Sequence, residues 1–284
     1  FDSAHGPFNG TVSSTDDTLI VNGKAIRASA ERNPAALPWK ELEIDIVLEC
    51  TGIFRTKEKA GLHQEAGAKK VLISAPASGS GVKTIVLGVN DHEITENDTI
   101  ISNASCTTNC LAPVCKVLDE SFGFVKGSLT TTHAYTADQR IQDAPHSDLR
   151  RARAAAYNII PTSTGAANAV GLVYPNVLNK MFAIAVRVPV ITGSMIELNV
   201  ILDKEVSKEE INAAFEAAAN GPMKGILQYS TDPLVSSDIV RNQHSSVFDS
   251  LLTDTMGTMV KVVSWYDNEA GFSARFTDLV TKVS

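Results

Sequence analysis

Cysteine is scarce in this 284-residue chain, which holds only Cys50, Cys106, Cys110 and Cys115. Four thiols, three of them within ten positions, cannot staple a chain of this length, so a disulfide framework is excluded and reduced thiols are expected. Glycine (18) and proline (11) are too few for collagen-like or low-complexity chains. Cationic charge is also in deficit. With 25 Lys and Arg against 32 Asp and Glu, the net charge of -7 argues against a general affinity for nucleic acid or an anionic membrane. No run approaches the roughly 18 uninterrupted apolar residues of a membrane span, and the polar segment from Phe1 to Gly10 has no signal-peptide core. A soluble, cytoplasmic protein is expected. What remains is ordinary globular material, 44% hydrophobic and 20% charged, long enough for about two domains.

The first hundred residues alternate short strands with one helix. Thr18 to Val21, then Asn22-Gly23, then Lys24 to Ala30, is a hairpin pattern. Ile44 to Cys50 reads as a strand ending at Thr51-Gly52, Lys57 to Ala66 as a helix closed by Gly67, and Lys70 to Ser74 as another strand. Strand, helix and strand in about 30 residues form a βαβ crossover, hence a parallel sheet with ligands at the carboxyl ends of its strands. Gly52 and Ser74 sit at such ends. Thr107 to Phe122 reads as a helix, Ser128 to Ala134, Ala183 to Val188, Gly193 to Leu202 and Met259 to Trp265 as strands, and about Gly271 to Val283 as a last helix. Ser207 and Glu210 make a capping box for a helix to Ala219. Tyr135 to Pro161 is polar, basic and irregular, and a loop of that length in a compact domain is usually functional.

Cys106 follows a strand and opens a helix, where the helix dipole favours negative charge and lowers a thiol's pKa. It is either a nucleophile or a small buried apolar residue. Cys110 and Cys115 lie deeper in the helix and read as buried packing. The three thiols lack a C-x-x-C knuckle and share one segment, so no metal site is expected. His133 ends a strand beside the long loop and is the base that a nucleophilic Cys needs. Arg140, Arg150, Arg151, Arg153 and Arg187 either form a solvated face or clamp phosphate with their planar forks. Pro161 to Ala167 offers hydroxyls and backbone N–H groups at a helix start, suited equally to an anion or to an ordinary cap.

The segments Ser102 to Pro113, Thr132 to Gln139, Asp148 to Ala156, Pro161 to Ala167, Arg187-Val188-Pro189 and Ser264 to Glu269 resemble the phosphorylating glyceraldehyde-3-phosphate dehydrogenases, in family order and spacing across essentially the whole chain. The resemblance implies an α/β protein. A Rossmann-type dinucleotide-binding domain would span residues 1–105, incomplete at its N-terminal side, an α+β catalytic domain with a mostly antiparallel sheet 106–268, and a C-terminal helix returning to the first domain 269–284. It implies that Cys106 attacks the aldehyde of glyceraldehyde 3-phosphate to give a thiohemiacetal. His133 would activate the thiol, take the hydroxyl proton and steady the oxyanion while hydride passes to NAD. Inorganic phosphate then releases the thioester as 1,3-bisphosphoglycerate. Thr136, Asp138 and Arg187 match the substrate-phosphate region, and Ser105, Thr107, Thr164 and Gly165, with Arg151 nearby, match the attacking-phosphate region. Arg32, Thr51, Gly52, Ser74 and Asn268 match positions lining the NAD site, and the long loop matches one that packs between subunits of a homotetramer.

Two departures stand out. Phe272 replaces a family Tyr near the nicotinamide, and the family's first strand and glycine-rich turn are expected to precede Phe1 as about 45 further residues of a protein of roughly 330. Preference between NAD and NADP leans on that segment's ribose-binding acid and on Pro145, which resembles NAD-using members. Erythrose-4-phosphate dehydrogenase is the sister alternative within this chemistry. A Cys/His hydrolase would share Cys106 and His133 but have no use for a dinucleotide half, and a non-enzymatic binding module is the remaining class.

Overall fold

The computed structural model describes all 284 residues. The chain opens with a three-stranded antiparallel sheet, β1 (Val12–Ser14), β2 (Thr18–Val21) and β3 (Lys24–Arg27). Asn22 and Gly23 take φ of 50° and 79°, the left-handed pair that a two-residue hairpin between twisted strands requires.

A four-stranded parallel sheet follows, built from β4 (Ile46–Glu49), β5 (Lys70–Ile73), β6 (Lys83–Thr84) and β7 (Ile100–Ser102) in the order β4-β5-β7-β6. Helix α1 (Lys57–Glu65) crosses from β4 to β5 and buries Ala60 against Val71, Ile73 and Ile100. All four strands run the same way, so Thr51, Ser74 and Asn103 emerge along one edge, where an open parallel sheet binds its ligand.

From that edge the chain enters α2 (Cys106–Phe122), whose buried face includes Cys110, Leu111, Val114, Cys115 and Leu118. An eight-stranded mixed sheet packs on it. Its strands are β8 (Phe124–Ala134), β9 (Ile160–Thr162), β10 (Met181–Val188), β11 (Ser194–Leu202), β12 (Leu227–Ser230), β13 (Ser246–Asp249), β14 (Asp254–Met256) and β15 (Met259–Tyr266). The order is β12-β13-β15-β11-β8-β10-β9, with β14 on β15, and only the β8–β10 and β12–β13 pairs are parallel. Helices α3 (Ala166–Val173) and α4 (Lys208–Asn220) complete this layer, and Ser207 and Glu210 cap α4 reciprocally. The final helix, α5 (Ala270–Val283), leaves β15 and packs Phe276, Leu279 and Val283 against Leu72, Ile85, Leu87 and Ile101 of the parallel sheet's layer.

No helix or strand forms between Ala134 and Ile160; one isolated bridge, Arg140 with Ala154, crosses the loop. No helix is long and apolar enough to cross a membrane.

Candidate active site

The start of one helix and the end of one strand create the reactive pair. After β7, Ala104 adopts a left-handed φ of 58°, which turns the chain so that Ser105 caps α2 and Cys106 is its first residue. The Ser105 hydroxyl accepts from the Thr108 N–H at 3.1 Å and meets the Thr108 hydroxyl at 2.7 Å. His133 is the penultimate residue of β8, and its Nε2 lies 3.4 Å from the Cys106 Sγ. The Nδ1 of His133 lies 2.7 Å from the Ala134 carbonyl, and with the proton on Nδ1 the Nε2 lone pair faces the thiol. Arg187 is the register partner of His133 on the parallel neighbour β10. Its Nη1 donates to the same Ala134 carbonyl at 3.0 Å and touches the His133 Nδ1.

The electrostatics favour a neutral imidazole. Burial, reinforced by the Arg187 charge, lowers His133 to about 4, far below an ordinary histidine. The thiol departs from expectation. Burial pushes Cys106 above its ordinary value, although the Arg187 charge and the helix amides at Thr107 and Cys106 pull the other way. Desolvation of a thiolate costs more here than the helix terminus returns, so the resting pair is thiol and neutral base. Cys110, one turn deeper, is pushed up to about 12 by burial, and Cys115 is raised further still.

The expected anion residues are only partly gathered. Asp138, expected with the substrate phosphate, and Arg151, expected with the attacking phosphate, are paired with each other, Nη1 to Oδ2 at 2.6 Å. Arg151 also donates to the Thr162 hydroxyl at 2.7 Å and the Ser163 carbonyl at 3.2 Å, so its fork is already held by protein groups. Thr136 donates its N–H to the Gln139 side chain. Thr164 accepts from the Ala166 N–H at 3.2 Å, and a Cβ placed on neighbouring Gly165 would meet nothing within 4 Å. Thr107 differs from expectation: its hydroxyl lies 2.9 Å from the Tyr266 phenol, which bridges on to the Thr131 hydroxyl at 2.9 Å.

Along the parallel sheet's edge, Thr51 and Gly52 follow β4 and Ser74 follows β5, its N–H donating to the Glu49 carbonyl at 3.0 Å. Gly52 has φ +73° and open space where a Cβ would stand. Asn268 lies two residues beyond β15, and its Oδ1 accepts from the Ser194 hydroxyl at 2.8 Å, while the Thr192 hydroxyl, 3.4 Å away, is bonded more closely to the Asp267 carboxylate at 2.9 Å. Arg32 is exposed between β3 and β4, and no hydrogen bond joins its side chain to the others.

Residues 105–268, more than half of the chain, match the model of the glyceraldehyde 3-phosphate dehydrogenase C-terminal domain, and residues 1–57 match that of the same family's NAD binding domain. The chain belongs to the glyceraldehyde-3-phosphate dehydrogenase family. A glyceraldehyde-3-phosphate dehydrogenase of Mycobacterium tuberculosis is 60% identical over 269 residues, covering 94% of this chain and 79% of that protein. The Streptomyces avermitilis protein named glyceraldehyde-3-phosphate dehydrogenase 2 is 56% identical over 285 residues, covering 100% and 85%, and the Mycolicibacterium smegmatis enzyme is 56% identical over the same length, covering 100% and 84%. These names favour the glyceraldehyde reading over erythrose-4-phosphate dehydrogenase.

The cofactor of this family, NAD, fits the residues present. A side chain on Gly52 would fill the space that its left-handed backbone leaves open at the sheet edge, and the Asn268 NH2 group makes no hydrogen bond to protein, leaving it free to donate to a ligand. Two further residues escaped sequence reasoning. Ser194 accepts from the Ala134 N–H at 3.1 Å while donating to Asn268, so one hydroxyl ties the end of the His133 strand to the Asn268 amide. Tyr266, fully buried, sets its ring edge-on to His133 at 5.9 Å. Tyr266 stands in the motif quoted for the family, but no spacing rule marks Ser194.

Proposed function

We propose that this chain oxidises glyceraldehyde 3-phosphate to 1,3-bisphosphoglycerate with NAD and inorganic phosphate, with Cys106 as nucleophile and His133 as its base. The observation that carries this reading is the 3.4 Å approach of Nε2 to Sγ. As Sγ bonds to the aldehyde carbon, its proton passes to Nε2 and on to the carbonyl oxygen, which becomes the thiohemiacetal hydroxyl and leaves His133 neutral again. His133 then takes the hydroxyl proton as the carbon is oxidised to the thioester. NAD, when bound, supplies the acceptor for the hydride that leaves this carbon. A phosphate oxygen attacks the acyl carbon, the C–S bond breaks, and Sγ recovers its proton.

Arg187 and Thr136 would hold the substrate's phosphate, with Asp138 acting through Arg151 rather than on the anion directly. Ser105, Thr107, Thr164 and Gly165 would line the attacking phosphate's place, which requires Thr107 to trade its bond to Tyr266. Arg32, Thr51, Gly52, Ser74 and Asn268 would hold NAD. We assign residues 1–105 to the dinucleotide-binding domain, 106–268 to the catalytic domain and 269–284 to the returning helix. We read the protein as a homotetramer, a reading supported by the long loop and its neighbouring strand, which leave Ile141, Leu149, Tyr157, Ile159 and Phe182 largely bare, an apolar surface that a second copy would cover. The cytoplasm is the location that this substrate and the reduced thiols suit. The reading is tested by absorbance of reduced nicotinamide on mixing the protein with the aldehyde phosphate, NAD and phosphate. Phosphate-dependent NADH formation is expected, and its absence, or hydrolysis without reduction, would overturn it.

A further inference from the structure

Glu49, the last residue of β4, is 2% exposed, and its carboxylate ends a chain of donors that the reaction does not use. The Thr51 N–H reaches it at 2.8 Å, and the Thr51 hydroxyl makes a shorter contact to the same oxygen. On its other oxygen, the Nε2 of buried His63 stands at 2.9 Å. The far side of that imidazole faces an indole: the Trp39 Nε1–H points at the His63 Nδ1 at 3.1 Å. An indole nitrogen can only donate, so Nδ1 is the acceptor and Nε2 carries the proton. Every proton in the series therefore runs one way, from Trp39 to His63 to Glu49, and Thr51 adds two more from the opposite side. The edge of the Phe54 ring and the tilted Trp39 ring hold the imidazole in place.

What this chain grips is a turn. Thr51 uses both its backbone and its hydroxyl on Glu49, and its hydroxyl oxygen accepts the Ile53 N–H at 3.1 Å, so the residues on either side of Gly52 are pinned while Gly52 holds its φ of 73°. We propose that Glu49, through the Trp39–His63–Glu49 series, is a positioning residue for the dinucleotide, setting the Thr51-Gly52-Ile53 turn before NAD arrives. The proposal rests on the reading of Thr51 and Gly52 as cofactor positions. A preset turn lowers the ordering cost of binding, so its loss falls on affinity rather than on the chemical step.

The discriminating variant is Glu49→Gln. Its side-chain NH2 cannot accept, so one donor faces another at either His63 or Thr51, whichever tautomer and amide orientation are chosen. NAD affinity, read by titration calorimetry on the intact protein, is expected to weaken about tenfold, with KM for NAD rising alike and kcat within about twofold. The emission of Trp39, one of only two tryptophans, should shift in the protein without NAD. His63→Gln, which can accept from Trp39 and donate to Glu49 at once, should keep wild-type affinity. Unchanged NAD affinity in Glu49→Gln, or an equal loss in His63→Gln, would overturn the proposal. Should Glu49→Gln fail to fold, His63→Leu removes one donor from the carboxylate, and unchanged affinity there counts equally against it. Gly52→Val separates the two layers. If it leaves NAD binding intact, the turn is not at the cofactor and the underlying reading fails, whereas if it alone weakens binding, only the positioning role falls.

Discussion

Arg187 and His133 face each other as register partners on adjacent parallel strands, and both reach the one carbonyl of Ala134. A cation is thereby held against the base, adding to the burial that keeps the imidazole neutral. Arg187→Ala should cost the phosphorylated substrate about 1.5 to 3 kcal/mol in kcat/KM, the worth of a charge-assisted bond, and unphosphorylated glyceraldehyde much less. Steady-state kinetics with both aldehydes checks this, and equal losses would place Arg187 outside the phosphate contact.

The four thiols offer an internal control. Cys50 is exposed, whereas Cys110 and Cys115 are buried and raised in pKa. Iodoacetamide at neutral pH should label Cys106 and Cys50 and spare the other two. In His133→Asn, labelling of Cys106 should slow severalfold because its proton acceptor is gone, while Cys50 is unaffected. Peptide mass mapping reads all four at once, and parallel slowing of Cys50 would show that the effect is not local.

Stability should carry the signature of two histidines with opposite shifts. Burial opposes the charge on His5, but its bonds to buried Asp267 at 3.0 Å and to Asp2 outweigh that and raise its pKa. The contribution of His5 is therefore complete below the unfolded value of about 6.5 and fades as pH rises through the higher folded value. His5→Ala should lower the melting temperature more at pH 5.5 than at pH 9. His133 runs the other way. With its folded value lowered to about 4, it destabilises the protein progressively as pH falls from 6.5 toward 4, a decline that His133→Asn should flatten.

Much of this was legible in the residues themselves. The Asn22-Gly23 hairpin, the Ser207 and Glu210 capping box and the placing of Cys106 at a helix start all depend on neighbours within four positions, and the structure forms each of them. What could not be read depends on pairing at long range. His133 and Arg187 are 54 positions apart, and only the parallel register of β8 with β10 joins them. The union of Asp138 with Arg151 and the turning of Thr107 toward Tyr266 are likewise products of packing. The raised thiol of Cys106 has the same origin, since burial is a property of the fold and not of a helix start.

Ser194 makes a separate prediction. Replacing it with Ala frees the Asn268 amide to rotate and leaves the Ala134 N–H without its acceptor. KM for NAD should rise about fivefold to tenfold, with a smaller fall in kcat, consistent with loss of a bond worth about 1 kcal/mol. Unchanged KM would show that the Ser194 hydroxyl does not set the Asn268 amide.

The most direct measurement is the mass of the protein after reaction with glyceraldehyde 3-phosphate and NAD in the absence of inorganic phosphate. One 3-phosphoglyceroyl group per chain is expected, attached to Cys106 on peptide mapping, discharged when phosphate is added, and greatly reduced in His133→Asn. Acylation of any other residue, or NADH formed with no acyl group retained, would contradict the assignment of Cys106 and His133 as the reacting pair.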